Sequence, residues 1–478
     1  MNTSNYQTRA ITAIEDPILQ AALTNLQQRL GQGAADGYQR FPEGPELRLK
    51  GHDIRMNAID HLDILLSALV DKIEQNGGHV HFAPDARTAV DQCIAIARRH
   101  DVSMAVKGKS MLTEEIGLNP ALEAAGIETV ETDLGEYIVQ LAGETPSHII
   151  APAIHKSREA VGRLFRDKLG IPYTDDPPTL TLAARQALRK KFLQADMGIS
   201  GCNLACAETG HITTLSNEGN IRMATTLPRV HVAFMGMERI VADLADHDIL
   251  LRLLSMGAAA QDMAGYVSYI GGPAEKGRTD GPDAFHLIIV DNGRSRILAD
   301  SDFREILCCI RCGACLNMCP VYGKIGGHAY ASAYSGPVGA VVTPLLTGIN
   351  QASDLCLGES LCGACMPACP VNINLPRMLL LLRAKLAEGD ASWNVKIQSR
   401  AEQAAFTAWS YLLRNRFLYD LFLKGAYLGQ RFLPGTHTMI RRLPFAGKDW
   451  TRGRDLKRLA GRSFIQRYRS ENQRRKIK

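Results

Sequence analysis

An open, mostly parallel α/β sheet, then a helical segment built around two cysteine motifs, then a helical and basic C-terminal region: this is the architecture that the 478-residue sequence predicts. Three observations carry it. Short β-rich runs alternate with helical stretches between Gly77 and about residue 300, as in successive βαβ units. Two cysteine phrases closed by proline follow, "CCIRCGACLNMCP" from Cys308 to Pro320 and "CLGESLCGACMPACP" from Cys356 to Pro370. Beyond residue 390, apolar and aromatic residues give way to a tail dense in Lys and Arg. Apolar residues make up 46% of the chain and charged residues 22%, which excludes an intrinsically disordered protein.

Residues 1–76 read as a helical preface. Ile59, Leu62, Leu66, Leu69 and Ile73 alternate steps of three and four and so share one helix face, and residues 16–30 show the same spacing. The glycine-rich "GQGAADG" between them, Gly31–Gly37, reads as a loop. The opening "MNTSNYQTRAITAIEDPILQ" has no apolar export core, and no run of eighteen uncharged apolar residues occurs. A cytoplasmic protein without a membrane-spanning helix is therefore expected. In a reducing compartment, twelve cysteines favour metal or cluster chemistry over disulfides.

Residues 77–300 form the α/β domain. Its strand candidates are "HVHF" (His79–Phe82), "VSMAV" (Val102–Val106), "ETVET" (Glu128–Thr132), "HIIAP" (His148–Pro152), "HVAFM" (His231–Met235) and "HLIIVDNG" (His286–Gly293), with helices at Ala86–Arg99 and Pro120–Ala125. "GKS" at Gly108–Ser110 imitates a phosphate-binding loop, but Ser103 stands where its first glycine is required, so a basic strand-to-helix turn is the better description. "GGPAEKGRTDGP" (Gly271–Pro282) reads as a long surface loop. Cys202 and Cys206 in "GCNLACAETG" have helical ligand spacing but no partner, and read as buried free thiols. Cys93, on an amphipathic helix, reads as core.

Residues 301–390 carry the chemistry. Cys309, Cys312, Cys315 and Cys319 follow the ferredoxin spacing C-x2-C-x2-C-x3-C before Pro320. In that motif the fourth thiolate crosses to a second cluster. The partner phrase supplies Cys362, Cys365 and Cys369 before Pro370. By this crossing, Cys309, Cys312, Cys315 and Cys369 bind one 4Fe-4S cluster, while Cys319, Cys362 and Cys365 give a second cluster only three thiolates. Glu359 stands where the fourth belongs. Cys356, three residues earlier, offers the softer ligand if Gly358 makes a left-handed turn, and is preferred over Glu359 or solvent. A zinc ribbon also uses paired C-x2-C, but gains nothing from a triplet plus a cysteine before proline. Cys308 is out of register. The helix expected at Leu375–Glu388 should cover the clusters.

Residues 391–478 are expected to be helical and basic. "FTAWSYLLRNRFLYDLFLKGAYLGQRFLPG" (Phe406–Gly435) is apolar and aromatic, but Arg414, Arg416, Asp420 and Lys424 keep it from spanning a bilayer. It suits a membrane surface or a partner helix, with packing back onto its own domain slightly favoured. From Arg441 to Lys478 there are 14 Lys and Arg against three acids, a local charge of +11 within a chain of +6. No nucleic-acid fold signature accompanies it.

In order along the chain, "GGHVHFA", "KSMLTEEIGLN", "ETDLGEYIVQL", "SHIIAPAIHK", "GCNLACAETG", "NEGN", "GMERI", "DGPDAFHLIIVDNGRS", "CIRCGACLNMCP" and "CGACMPACP" resemble the lactate utilization protein B family, iron–sulfur proteins of bacterial L-lactate oxidation. The resemblance implies a lactate-utilization α/β domain similar in fold to CoA-transferase and ribose-phosphate isomerase domains. A two-cluster ferredoxin-like segment and a family-specific C-terminal region would follow. It implies an electron relay working beside a cysteine-rich subunit and a second lactate-utilization subunit. It assigns the seven cysteines in register as ligands and no catalytic residue. Some relatives carry cysteine at the Glu359 position, so this chain departs from them there.

No G-x-G-x-x-G follows a strand, so the relay is preferred to a self-contained flavin or nicotinamide dehydrogenase. The alternative is an enzyme whose α/β domain binds a small anion or acyl ligand, with Glu208, Asn217, Glu218 and Asn220 as candidates against a plain role in loop turns.

Overall fold

Ten strands form two sheets in the first of two compact units, residues 1–396, in a computed structural model describing residues 6–41, 43–275, 277, 280–397, 400–444 and 447–476. In chain order they are β1 (His79–Ala83), β2 (Met104–Lys107), β3 (Glu128–Glu131), β4 (Met197–Gly201), β5 (Leu204–Cys206), β6 (His211–Ser216), β7 (Val230–Gly236), β8 (Ile240–Val241), β9 (Tyr266–Ile270) and β10 (Ala284–Val290). The main sheet is parallel throughout, in the order β1-β10-β7-β4-β2-β3. A smaller mixed sheet runs β8-β5-β6-β9. β7 is buried along its whole length and β10 nearly so, as central parallel strands covered on both faces must be.

Five of the six expected strands are present. "HIIAP" is not a strand: His148 Nδ1 accepts hydrogen bonds from Ile150 N (2.9 Å) and Ala151 N (3.1 Å), which curls the segment into a local turn. β4, "MGISG", escaped propensity because Gly198 lies against the Ala224 carbonyl of the helix Asn220–Thr226, where any Cβ would collide. Cys202 and Cys206 are not on a helix but flank and occupy β5. Cys93 is fully buried on the helix Ala86–Arg99, which Asp85 caps. Ser110 caps the helix Met111–Glu115, making the "GKS" turn the strand-to-helix turn expected. Parts of the loop Gly271–Pro282 (residues 276, 278 and 279) lie outside the described residues.

The expected loop Gly31–Gly37 is helical instead, a π-helical turn Gln27–Gln32 running into the helix Gly33–Arg40. Its glycines serve close approach. A Cβ on Gly31 would lie 2.8 Å from Met318 Sδ and 3.0 Å from Asn317 O, and one on Gly33 2.9 Å from Ala260 Cβ. The preface thus lies directly on the first cysteine motif. One continuous core joins Leu23, Ile59 and Leu69 of the preface to Met235 and Leu287 of the sheet and to Cys312, Cys369 and Leu379.

The second unit, residues 397–478, holds the helices Arg400–Arg414 and Arg416–Gly429, a short antiparallel pair Met439–Ile440 with Leu456–Lys457, and the helix Phe464–Lys476. Its apolar stretch packs in part within its own unit, Trp409 meeting Phe422 edge-to-face with ring centroids 5.5 Å apart. The helix Arg416–Gly429 buries no side chain, and Phe417 is 75% exposed. Among the described residues no helix is long and apolar enough to cross a membrane.

Candidate functional site

The two cysteine phrases fold as one repeated turn. In the first, Arg311 (φ 59°) and Gly313 (φ 78°) adopt left-handed backbone. Leu361 (φ 55°) and Gly363 (φ 81°) do so at the matching places in the second. Cys309 (φ −60°, ψ 122°) and Glu359 (φ −74°, ψ 145°) then occupy equivalent extended positions. A short helix follows each turn, Ala314–Asn317 and Cys365–Ala368.

This backbone sorts the acidic and thiol side chains into two groups. In the first, burial raises the Cys312 and Cys315 thiols well above their usual range, helped by Cys309 and Cys369 beside them. Burial likewise pushes Cys369 up to about 12, with Cys309 adding to it. In the second, Cys319, Glu359, Cys362 and Cys365 line one small cavity, with Leu379 of the helix Leu375–Glu388 over it. Burial pushes Cys365 up to about 11, with Glu359 and Cys362 contributing. The exposed Cys362 is lowered by Ser360 and by the Ala364 N–H. Each phrase thus gives its last cysteine to the other group.

Backbone N–H groups donate to sulfur in both: Arg311 to Cys309, Ile373 to Cys369 and Tyr322 to Cys319, each at 3.4 Å. Soft donors ringed by N–H groups fit iron–sulfur clusters. Among the described residues no three His, Cys, Asp or Glu side chains converge on one ion; thiolates that each hold a different iron of a cube need not.

Cys356 is not brought to either group. It lies on the helix Ser353–Gly358, and its Sγ donates to Ser353 O at 3.2 Å. Gly358 makes no left-handed turn; it ends that helix, and its missing side chain leaves room for Tyr6. Glu359 is instead the residue beside Cys319. Cys308 donates its thiol to Met56 Sδ at 3.2 Å.

Side chains far away in sequence hold these turns in place. Arg55, with no exposed surface, donates to the carbonyls of Leu307 (3.0 Å), Cys308 (3.4 Å), Glu238 and Ile240 (2.7 Å). Arg239 donates to Cys309 O (2.7 Å) and Ile310 O (3.1 Å), Arg48 to Cys369 O (2.6 Å), and Gln27 to Cys319 O (2.9 Å). None of these four was legible as a site residue, because each partner lies at least seventy residues away.

A cavity of about 210 Å³ opens over the carboxyl ends of the parallel strands. The chain leaves β2 outward for β3 and then returns to lay β4 on the other side of β2. Such a switch point leaves a crevice where α/β folds place ligands. Lys109 and Ser110 line the cavity after β2, Asn203 after β4, Glu238 after β7 and Arg294 after β10, and Arg311 and Tyr334 of the cysteine segment complete it. Arg294 pairs with Glu238 and Glu115, each at 2.8 Å. Arg311 lies over the Tyr334 ring at 4.3 Å and 3.6 Å from Glu238, and its Nη1 has no hydrogen-bond partner; neither has Thr214 Oγ1, on another wall. Of the four polar candidates, Glu218 and Asn220 line this cavity. Glu208 and Asn217 do not: they accept from Leu244 N (3.3 Å) and Gly265 N (2.9 Å) as turn-forming residues.

Comparison with known proteins accords with this division. A LUD domain matches residues 66–290 and a 4Fe-4S dicluster domain residues 305–373. The chain is 44% identical over 468 residues to an uncharacterized electron transport protein, YkgF, of Escherichia coli (strain K12), covering 97% of this chain and 96% of that one. It is 42% identical to lactate utilization protein B of Geobacillus sp. (strain WCH70) over 87% of each chain. With lactate utilization protein B of Bacillus subtilis (strain 168) it shares 39% identity over 95% of this chain and 94% of that one. A crystal structure of a DUF162 family protein from Deinococcus radiodurans aligns with 48% of this chain at 16% identity, with a TM-score of 0.28, too low to argue from. With two relatives above 35% identity spanning most of both chains, this protein belongs to the lactate utilization protein B family.

Proposed function

We propose that this iron–sulfur protein is an electron-transfer subunit that relays electrons during oxidation of L-lactate to pyruvate, in a system with other lactate-utilization subunits. The observation that carries it is the crossed pairing of thiols: Cys309, Cys312, Cys315 and Cys369 in one group, Cys319, Cys362 and Cys365 in the other. These seven would hold two 4Fe-4S clusters, which supply one-electron transfer when bound. The chain's own part is to fix the sulfurs by the repeated left-handed turns, to direct N–H groups at them, and to bury five of the seven from bulk water, Cys309 being half-buried and Cys362 exposed. The substrate comes from the names of the relatives, and no residue here is assigned to it. The partners would be a cysteine-rich subunit and a second lactate-utilization subunit. The exposed aromatic helices and basic tail of the second unit suit docking to such a partner or to a membrane surface, in a cytoplasmic setting. For the α/β domain, the likeness to CoA-transferase and ribose-phosphate isomerase folds stays part of this proposal. Anaerobic protein should show lactate-dependent cluster reduction, by absorbance bleaching and EPR, only with the partner subunits present. Reduction by lactate with this chain alone would replace the relay by a self-contained enzyme.

The cavity favours a second reading, a small-anion or acyl-ligand site. It lies at the switch point, contains an unpartnered Arg311 nitrogen, and reaches the residue between two expected ligands. A small carboxylate there should perturb the EPR of one reduced cluster in wild-type protein and not in Arg311→Gln. An unchanged spectrum at saturating carboxylate would count against it.

A further inference from the structure

We propose that Glu359 is the fourth ligand of the second cluster, holding through a carboxylate oxygen the one iron that Cys319, Cys362 and Cys365 leave. The inference rests on the two-cluster reading and deepens it. Three independent observations support it. The first is register: the turn that carries Cys309 to its group is repeated at 359–365, with the same pair of left-handed residues, and Glu359 stands at the place of Cys309. The second is placement. Glu359 Oε2 lies 3.4 Å from Cys319 Sγ, and Glu359 lines the same cavity as Cys319, Cys362 and Cys365. Cys356 does not line it and spends its thiol on its own helix.

The third is the chemistry of burial. Glu359 is 6% exposed, and Tyr330 donates to its Oε1 at 2.8 Å. Among the described residues no basic side chain forms an ion pair with it: Arg383 reaches only its backbone carbonyl, at 2.6 Å. A buried carboxylate with no cation at its oxygens is costly to keep ionised unless something positive is supplied there. Iron at the open corner of the cluster supplies it. Tyr330 then holds one oxygen in place and leaves the other for the metal. The cost is a weaker corner, since a carboxylate is a harder ligand than thiolate for this iron.

The test uses full-length protein with its clusters, made anaerobically as wild type, Glu359→Cys, Glu359→Ala and Cys356→Ser. Mild ferricyanide should take one electron from the second cluster and release Fe2+, leaving a 3Fe-4S centre in the +1 state with an EPR signal near one spin per chain. The same signal should appear in Cys356→Ser and be lost in Glu359→Cys, which supplies the thiolate. ENDOR in water enriched in oxygen-17 separates carboxylate from solvent. The unique iron should show no water oxygen in wild type and should acquire one in Glu359→Ala. Loss of the second cluster in Cys356→Ser with Glu359→Ala unchanged, or a water oxygen already present in wild type, would overturn the assignment. Zinc without sulfide in the wild type would instead remove the two-cluster reading beneath it.

Discussion

Arg55 is a charged side chain with no exposed surface, and its reach explains why it was invisible in the sequence. Two of its carbonyl acceptors, on Leu307 and Cys308, lie more than 250 residues away, so no local pattern marks it. The cysteines were legible because cluster ligands sit close in sequence, at spacings set by one turn of chain. Removing the guanidinium leaves buried carbonyls unpaired at about 1–3 kcal/mol each. Arg55→Met should therefore lower the thermal unfolding midpoint by many degrees and speed loss of the cluster absorbance in air. His148 gives a pH-dependent counterpart. Burial, with Lys109 nearby, lowers its pKa to about 3, and its Nε2 meets Asn317 Oδ1 of the first cysteine motif at 3.3 Å. The unfolded chain takes up a proton near the ordinary value of 6.5, and the folded chain only near 3. Stability is thus intact above pH 6.5 and falls as the pH drops toward 3, by at most roughly 1.4 kcal/mol per unit. His148→Gln should flatten the fall in unfolding midpoint between pH 6.5 and 5; an unchanged slope would place the acid sensitivity elsewhere.

At the scale of elements, composition misled wherever glycine serves contact and not turning. The stretch Gly31–Gly37 has loop composition and is helix, because its glycines let the helix lie against Asn317, Met318 and Ala260. Alanine in a helix gains up to about 1 kcal/mol over glycine. Overpacking against a backbone carbonyl costs about 1–3 kcal/mol. The contact wins at Gly31, so Gly31→Ala should destabilise the protein, whereas Gly425→Ala should stabilise its own helix, since nothing lies within 4 Å of that position. Equal shifts in denaturant unfolding would contradict this. The strands with strong apolar runs, β7 and β10, were legible for the opposite reason: burial on both faces selects apolar residues along them, with one buried histidine in each, His231 and His286. In the second unit, deleting Arg441–Lys478 should leave cluster content intact and weaken association with the partner subunits, and added salt should mimic the loss. Clusters lost on truncation would make the tail part of the cluster fold.

Across the whole molecule, the preface, the sheet and the cysteine segment read as successive pieces of sequence and fold as one unit around one core. Polar latches from Gln27, Arg48, Arg55 and Arg239 to the carbonyls of the cysteine segment account for that union. They also set the first cluster site against the cavity at the ends of β2 and β4, through Arg311. The sequence showed both the cysteine spacing and the α/β alternation, but not that they meet. That juxtaposition depends on the crossing of strands, which no local pattern records. The proposed relay requires two clusters. Iron and acid-labile sulfide should be measured on anaerobically purified protein, with low-temperature EPR after dithionite reduction. About eight irons and eight sulfides per chain, with two interacting reduced-cluster signals, is the result expected. About four irons with a single signal, or stoichiometric zinc with negligible sulfide, would contradict it.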